Sequence, residues 1–196
     1  LASTSPYRRR LLERLRLPFS CIDPAVEESI RDEESPQARA CRLAKEKALS
    51  VAETLQDGAI VIGSDQVASL GSEILHKPGT PGAAIAQLTA SSGQTVQFWT
   101  GVSLWMGPGE PLTQRVVPCE VKMRTLSTDE ISRYVALDQP LHCAGSFKWE
   151  SLGITLFEAM RTDDPSALEG LPLITLSELL REAGVSLPLA AQMAQH

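Results

Sequence analysis

An α/β domain with a mixed sheet is the fold class that this sequence predicts, and three observations carry it. Cys41, Ala44, Ala48, Val51 and Leu55 recur at three- and four-residue steps, the apolar stripe of a helix. "AIVIGSDQV" is an apolar, β-branched run of strand length. "TVQFWTGVSLWM" and "QRVVPCEVKM" alternate in the manner of paired antiparallel strands, joined by a "GPGEP" turn.

Taken in chain order, Ser5 followed by Pro6 reads as a helix N-cap with proline at the first helical position, and Leu11, Leu12 and Leu15 give that helix an apolar side. A second helix begins near Pro36. Lys45 and Lys47 fall on opposite borders of its stripe, roughly 75–85° from the centre at 100° per residue. The buried run then reaches Gly63, Ser64, Asp65 and Gln66, which are expected where the strand emerges. "VASLGSEILHKP" reads as a hairpin turning at Gly71-Ser72. Ser127 followed by Glu130 is a capping-box pattern opening a short helix. "GITLFEAM" reads as a strand and "TLSELLREAG" as the closing helix with a glycine stop. Residues 185–196 read as a peripheral tail of a single domain that spans residues 1–196, with two lobes about a cleft suiting the antiparallel middle section.

Composition narrows the function classes. The chain has 196 residues, is 43% hydrophobic and carries a net charge of −6, which argues against coating nucleic acid with a broad basic face. No apolar run of about 18 residues suggests a membrane span, and no charged-then-apolar signal segment is legible, so a cytoplasmic location is expected. Because the chain begins at Leu1 rather than Met, a preceding segment with part of a first strand is expected. Cys21, Cys41, Cys119 and Cys143 form no CxxC pair, and His76, His142 and His196 offer only the adjacent His142-Cys143 as a cluster, so neither a zinc site nor a disulfide framework is indicated.

Against that acidic background the first sixteen residues hold five arginines behind "STSP". Backbone N–H groups at a helix start bind anions; Ser3, Thr4 and Ser5 add hydroxyl donors, and Arg8 and Arg9 can each clamp phosphate oxygens with two nitrogens. A capped surface helix with solvated arginines is the plainer reading of the same residues. Asp65 stands at the end of the buried strand, where catalytic groups of α/β sheets gather, and equally suits a structural turn. Glu27 and Glu28 belong to an acidic belt, "EESIRDEESP", and Lys77 follows the hairpin in "HKPG"; each alone reads as solvated surface. The Nudix box, the P-loop GxxxxGKS/T and the GxSxG elbow are all absent from the sequence.

Together the pieces are more specific. "ASTSPYRRRLL", "RLAKEKA", "VIGSDQV" and "HKP", followed by "LHCAGSFKWESLGITLFE" and "GLPLITL", resemble the Maf-like nucleotide pyrophosphatase family along nearly the whole chain, and most closely its branch that hydrolyses 7-methyl-GTP. The resemblance implies an elongated mixed sheet flanked by helices, as in inosine-triphosphatase-like folds, with an active-site cleft. It also implies a divalent cation, magnesium or manganese, a nucleoside triphosphate substrate, a cytoplasmic location and a homodimer. It puts Ser3, Ser5, Arg8, Arg9, Lys47 and Lys77 on phosphate oxygens, makes Asp65 the general base, and matches Glu28 to the acidic residue after the second strand, so that Glu28 and Asp65 could hold the metal. His76 replaces the glycine of the family's "GKP", which touches the local turn more than the role of Lys77.

The implied chemistry is physically coherent. A nucleoside triphosphate carries about four negative charges, and water attack requires cations to gather them. An aspartate of ordinary pKa, about 3.9, is a weak base at pH 7, so either activation of water by the metal or a pKa raised by Glu28 is required, and the residues leave both open. Tyr7, Gln66 and Glu150 occupy the positions that separate the branches of the resembling family. A purine made cationic at N7 suits an aromatic face and a carboxylate. Tyr7, where this branch usually has tryptophan, can stack; Glu150 can accept from the guanine Watson–Crick edge; and Gln66 can add a donor or acceptor. Trp149 could form a second aromatic wall. The branch that acts on thymidine and uridine triphosphates has arginine, threonine and glutamine in these places. Two other readings stand beside this one: a dTTP or UTP pyrophosphatase of the same family, and a non-catalytic nucleotide-binding regulator of septum formation.

Overall fold

The structure is a computed structural model that describes residues 1–29, 31, 33–55 and 59–191. The end of the predicted tail, 192–196 with His196, lies outside the described residues. Five helices, α1 (Pro6–Glu13), α2 (Pro36–Ala52), α3 (Pro81–Ser91), α4 (Thr128–Asp138) and α5 (Leu173–Glu182), accompany five strands: β1 (Val61–Leu70), β2 (Glu73–Leu75), β3 (Thr95–Trp105), β4 (Thr113–Met123) and β5 (Phe157–Arg161). The sheet order is β2-β1-β3-β4-β5. The β1–β2 and β4–β5 ladders are antiparallel, and the parallel component of the expected mixed sheet is confined to isolated bridges from Ala2 to Gly63 and to Ile22, outside the strands named above.

Local signals account for most element starts. The Ser5 and Ser35 hydroxyls accept the Arg8 and Ala38 N–H groups ahead of Pro6 and Pro36, and Ser127 with Glu130 forms the reciprocal capping box. Gly71, at φ +59°, takes the first central position of the two-residue turn that pairs Leu70 with Glu73.

The chain divides into two compact units whose boundaries fall within β1, β3 and β4 and, after β5, between Asp163 and Asp164. The first comprises Leu1–Asp65, Thr100–Val117 and the residues from Asp164 onward. Its larger core joins Leu11 and Leu12 of α1 to Ile62, Val102, Leu104 and the α5 residues Leu176, Leu179 and Leu180. Complete burial of each such leucine contributes about 1.5–3 kcal/mol. A smaller cluster joins Ala2 and Val61 to Ala48, Val51 and Ala52 of α2. Val185 and Leu187 of the expected peripheral tail pack partly against the larger core. The second unit comprises Gln66–Trp99 and Pro118–Asp163. There Phe147 meets Phe98 and Phe157 edge-on, with ring centroids 5.4 and 4.8 Å apart.

Three expectations need correction, and one helix matches no expectation. Asp65 is the fifth of ten residues in β1 and not at its end, because pairing with β2 prolongs the strand to Leu70. "GITLFEAM" does not start as a strand: Leu152–Leu156 is a 3₁₀ turn in which the Thr155 hydroxyl donates to the Leu152 carbonyl, and the strand starts at Phe157. The closing helix starts at Leu173 rather than Thr175, since the buried Asp164 carboxylate accepts the Ile174 and Thr175 N–H groups and Ser166 accepts that of Leu173. Helix α3 was passed over altogether. Its alanine-rich face carries a weak stripe, yet Thr80 and Pro81 open it with the signature that marked the first two helices.

Candidate active site

Small residues bring α2 onto the sheet of the first unit. Ala40, Ala44 and Ala48 face Gly101 and Gly63 so closely that a Cβ on Gly63 would lie 2.2 Å from the Ala44 carbonyl oxygen, and one on Gly101 2.4 Å from that of Ala40. That approach carries the next residue of the same face inward. Lys47, expected at the border of the stripe, is buried, whereas Lys45 is exposed.

The Lys47 ammonium joins two carboxylates. Its Nζ lies 2.6 Å from Asp65 Oδ1 and 2.5 Å from Glu28 Oε1, and both Asp65 and Lys47 are buried while the Glu28 side chain is 52% exposed. Arg8 Nη2 stands 4.0 Å from the same Asp65 oxygen. Two carboxylates and two cations therefore meet at one end of a buried lysine, an arrangement that neutralises charge internally and can exchange partners with an arriving polyanion.

Each member is held from behind. The loop bearing Glu28 lies along α2: Arg39 donates to the Glu28 carbonyl at 3.0 Å, Arg42 to the Ser29 carbonyl at 3.2 Å, and Ser50 to the Pro24 carbonyl. Arg42 also grips Glu34 with two nitrogens at 2.6 and 2.7 Å, which holds the Glu34 carboxyl below its ordinary range. Arg8 Nε donates at 2.8 Å to the Gly170 carbonyl, which Ser64 Oγ also approaches at 2.8 Å. Gly170 has φ +101°, so the turn favours glycine, while a Cβ there would meet Arg8 Nε only at an ordinary contact distance of 3.4 Å. Ser64 and Gly170 lie within the quoted "VIGSDQV" and "GLPLITL" motifs, but the link between them, across more than a hundred residues, was not legible from either.

At the start of α1 the predicted phosphate ligands separate. Ser3 is buried and its hydroxyl accepts the Ser5 N–H at 3.1 Å; the Ser5 hydroxyl accepts the Arg8 N–H at 3.4 Å. Both hydroxyls keep their own hydrogen for donation. Arg8 joins the carboxylate cluster, whereas Arg9 is 66% exposed and paired with Glu13 at 3.1 Å. Successive helical residues diverge by 100°, which is why the two arginines part. The Arg10 guanidinium lies 5.1 Å from the centre of the Tyr7 ring.

Gln66, Lys77 and Glu150 belong to the second unit. Gln66 is partly buried on β1, and Lys77 is exposed after β2. The turn that His76 alters is secured by a Gln87 side-chain bond to the His76 carbonyl at 2.8 Å and by the Gly79 N–H bond to the Leu141 carbonyl at 2.9 Å. Glu150 is exposed on a turn in which the Ser151 N–H bonds the Lys148 carbonyl at 3.2 Å.

Among the described residues no group of three His, Cys, Asp or Glu is gathered for a metal ion. The pair Glu28 and Asp65 nevertheless fits a hard cation of the magnesium type. Such ions are commonly held by one or two carboxylates and completed by substrate phosphates, and both carboxylates here approach a single point now taken by the Lys47 ammonium.

With this geometry in view, the relatives are informative. The family model described as "Maf-like protein" matches residues 1–183, and the chain belongs to the Maf family. It is 56% identical over 188 residues to the 7-methyl-GTP pyrophosphatase of Xanthomonas oryzae pv. oryzae (strain MAFF 311018), covering 96% of this chain and 97% of that one. The 7-methyl-GTP pyrophosphatase of Aromatoleum aromaticum is 53% identical over 188 residues, with 96% of both chains covered. That of Alcanivorax borkumensis is 50% identical over 190 residues, with 96% of this chain and 95% of the relative covered. No helix among the described residues is long and apolar enough to cross a membrane.

Proposed function

We propose that this chain is a nucleoside triphosphate pyrophosphatase that hydrolyses 7-methyl-GTP to 7-methyl-GMP and pyrophosphate. The observation that carries the catalytic assignment is Lys47 Nζ between Glu28 Oε1 and Asp65 Oδ1, with Arg8 beside them. Arriving phosphates compete with the carboxylates for Lys47 and Arg8, and the Ser3 and Ser5 hydroxyls donate to phosphate oxygens. Arg9 can join only after leaving Glu13, and Lys77 takes the phosphate role of its motif. Asp65 receives a proton from the attacking water as its oxygen bonds to the α-phosphorus and the bond to the leaving pyrophosphate breaks. A magnesium or manganese ion held by Glu28 and Asp65 would supply charge neutralisation at the phosphates. Tyr7 stacks on the methylated base, while Gln66 and Glu150 read its edge.

The names of the relatives support the substrate, and the family supports the reaction class. A cytoplasmic location, a homodimer and a role in clearing modified nucleotides or arresting division belong to the same proposal. Its test is pyrophosphate release with magnesium or manganese from 7-methyl-GTP, GTP, dTTP, UTP and CTP, for the wild type and Asp65→Asn. The expected result is a preference for 7-methyl-GTP, and for the variant, lost turnover with retained nucleotide binding. A preference for dTTP or UTP would overturn the base assignment, wild-type turnover by the variant would remove Asp65 from the chemistry, and no turnover by the wild type would favour a binding regulator.

A further inference from the structure

Glu150 occupies the third position of a four-residue turn, Lys148–Ser151, and both feet of that turn are fastened to the end of α4. On the first foot, the Lys148 N–H donates to the Tyr134 hydroxyl at 2.9 Å, and Lys148 Nζ donates to the Asp138 carbonyl at 2.5 Å. On the second, the Ser151 hydroxyl donates to Asp138 Oδ1 at 2.7 Å. Gly153 closes behind: a Cβ there would lie 2.3 Å from the Lys148 carbonyl oxygen. Tyr134 is buried in the face of α4 that also buries Ile131 and Val135, so its hydroxyl is a fixed point and not a mobile surface group. Burial pushes this phenol well above the ordinary tyrosine range, which keeps the hydroxyl intact at any assay pH.

The Lys148 ammonium also occupies a carbonyl of the last helical turn, the end of a helix that favours a cation. Ser151 and Glu150 are exposed, and the Trp149 indole N–H is buried without a hydrogen-bond partner among the described residues. The hydrogen bonds that fasten the two feet of the turn to its surroundings thus pass through two α4 residues that need not touch a nucleotide themselves.

We propose that Tyr134 and Asp138 are positioning residues for base selection, which hold the Lys148–Ser151 turn so that the Glu150 carboxylate meets the cationic purine. This rests on the reading of Glu150 given above. A carboxylate aimed at a base favours the methylated, positively charged ring over the neutral one, and a loosened turn spreads that carboxylate over several places and dilutes the preference.

The test measures kcat and KM for 7-methyl-GTP and GTP in Tyr134→Phe, Ser151→Ala, Ser151→Thr and Glu150→Gln, with thermal unfolding of each. Tyr134→Phe and Ser151→Ala are expected to lower the ratio of kcat/KM for 7-methyl-GTP to that for GTP roughly three- to tenfold, mainly through KM, by the loss of part of a charged interaction. Ser151→Thr, which keeps the hydroxyl, restores the ratio. Equal losses for both nucleotides that follow a lowered Tm would reduce the two α4 residues to structural support and overturn the proposal. If Glu150→Gln changes the ratio and neither tether variant does, only the tether fails. If Glu150→Gln leaves the ratio unchanged, the reading of Glu150 fails and this inference with it.

Discussion

Lys47 Nζ lies 2.6 Å from Asp65 Oδ1, with both side chains about 8% exposed. A charged pair at this depth is costly to break from one side, because the survivor keeps its burial and loses its partner. Lys47→Met is therefore expected to destabilise the fold by about 3–5 kcal/mol and to abolish turnover. Adding Asp65→Asn should recover part of that stability without activity, and urea unfolding of the single and double variants checks both. Additive losses would mean that the two groups do not interact.

Gly63 permits the contact that buries Lys47. Gly63→Ala puts a methyl group 2.2 Å from the Ala44 carbonyl oxygen and 2.7 Å from the Ala48 nitrogen, both of them backbone. Neither can move aside as a side-chain tip would. We expect a loss of about 1–3 kcal/mol or more, with activity falling further than Tm alone predicts because α2 and Lys47 withdraw together.

The guanidinium of Arg10 over Tyr7 is a cation already seated where a cationic base is proposed to stack. Such exposed contacts are worth about 0.5–1 kcal/mol. Arg10→Gln is expected to tighten 7-methyl-GTP about two- to fivefold and GTP by less, since both rings must displace the guanidinium from the aromatic face but only the charged one is also repelled by it. Equal tightening of both would indicate simple steric relief, and no change would mean that the base does not use Tyr7.

Cys119 is buried in β4, and burial pushes its thiol from 9.0 up to about 11. The folded state thus holds this proton more tightly than the unfolded chain. The associated stability is fully present below about pH 9 and disappears as pH rises towards 11, with a magnitude on the order of 2 kcal/mol. Cys119→Ser should flatten that alkaline limb. At pH 8 the exposed Cys21 should react with iodoacetamide first and Cys119 last.

Legibility in the sequence followed the range of each interaction. Ser5-Pro6 and the Ser127/Glu130 box act within four residues and mark their helix starts in the sequence, and the start expected near Pro36 falls at Pro36, where the Ser35 hydroxyl adds a cap that the sequence analysis does not name. Asp65 was misplaced along its strand because the length of β1 depends on pairing with Glu73–Leu75. The separation of Arg8 from Arg9 was available from helical rotation alone, yet the destination of Arg8 was not, since Gly170 lies far along the chain. Helical rotation alone left Lys47 and Lys45 equivalent; the family resemblance singles out Lys47, and the depth of the alanine face against Gly63 and Gly101 gives the physical reason that it is the buried one. Tyr134 and Asp138 lie in none of the quoted motifs, because what singles them out is the turn that folds against them.

The bond from Arg8 to the Gly170 carbonyl joins positions 162 residues apart. During synthesis the carbonyl that orients this arginine, and the Asp164 carboxylate that steadies the neighbouring helix start, leave the ribosome only after the long intervening chain has done so. A nascent or prematurely ended chain can thus form its caps and hairpins while its Arg8 side chain remains without its anchor. The orientation of Arg8 is thus a late property of the fold, whereas the helix that carries it is a local one.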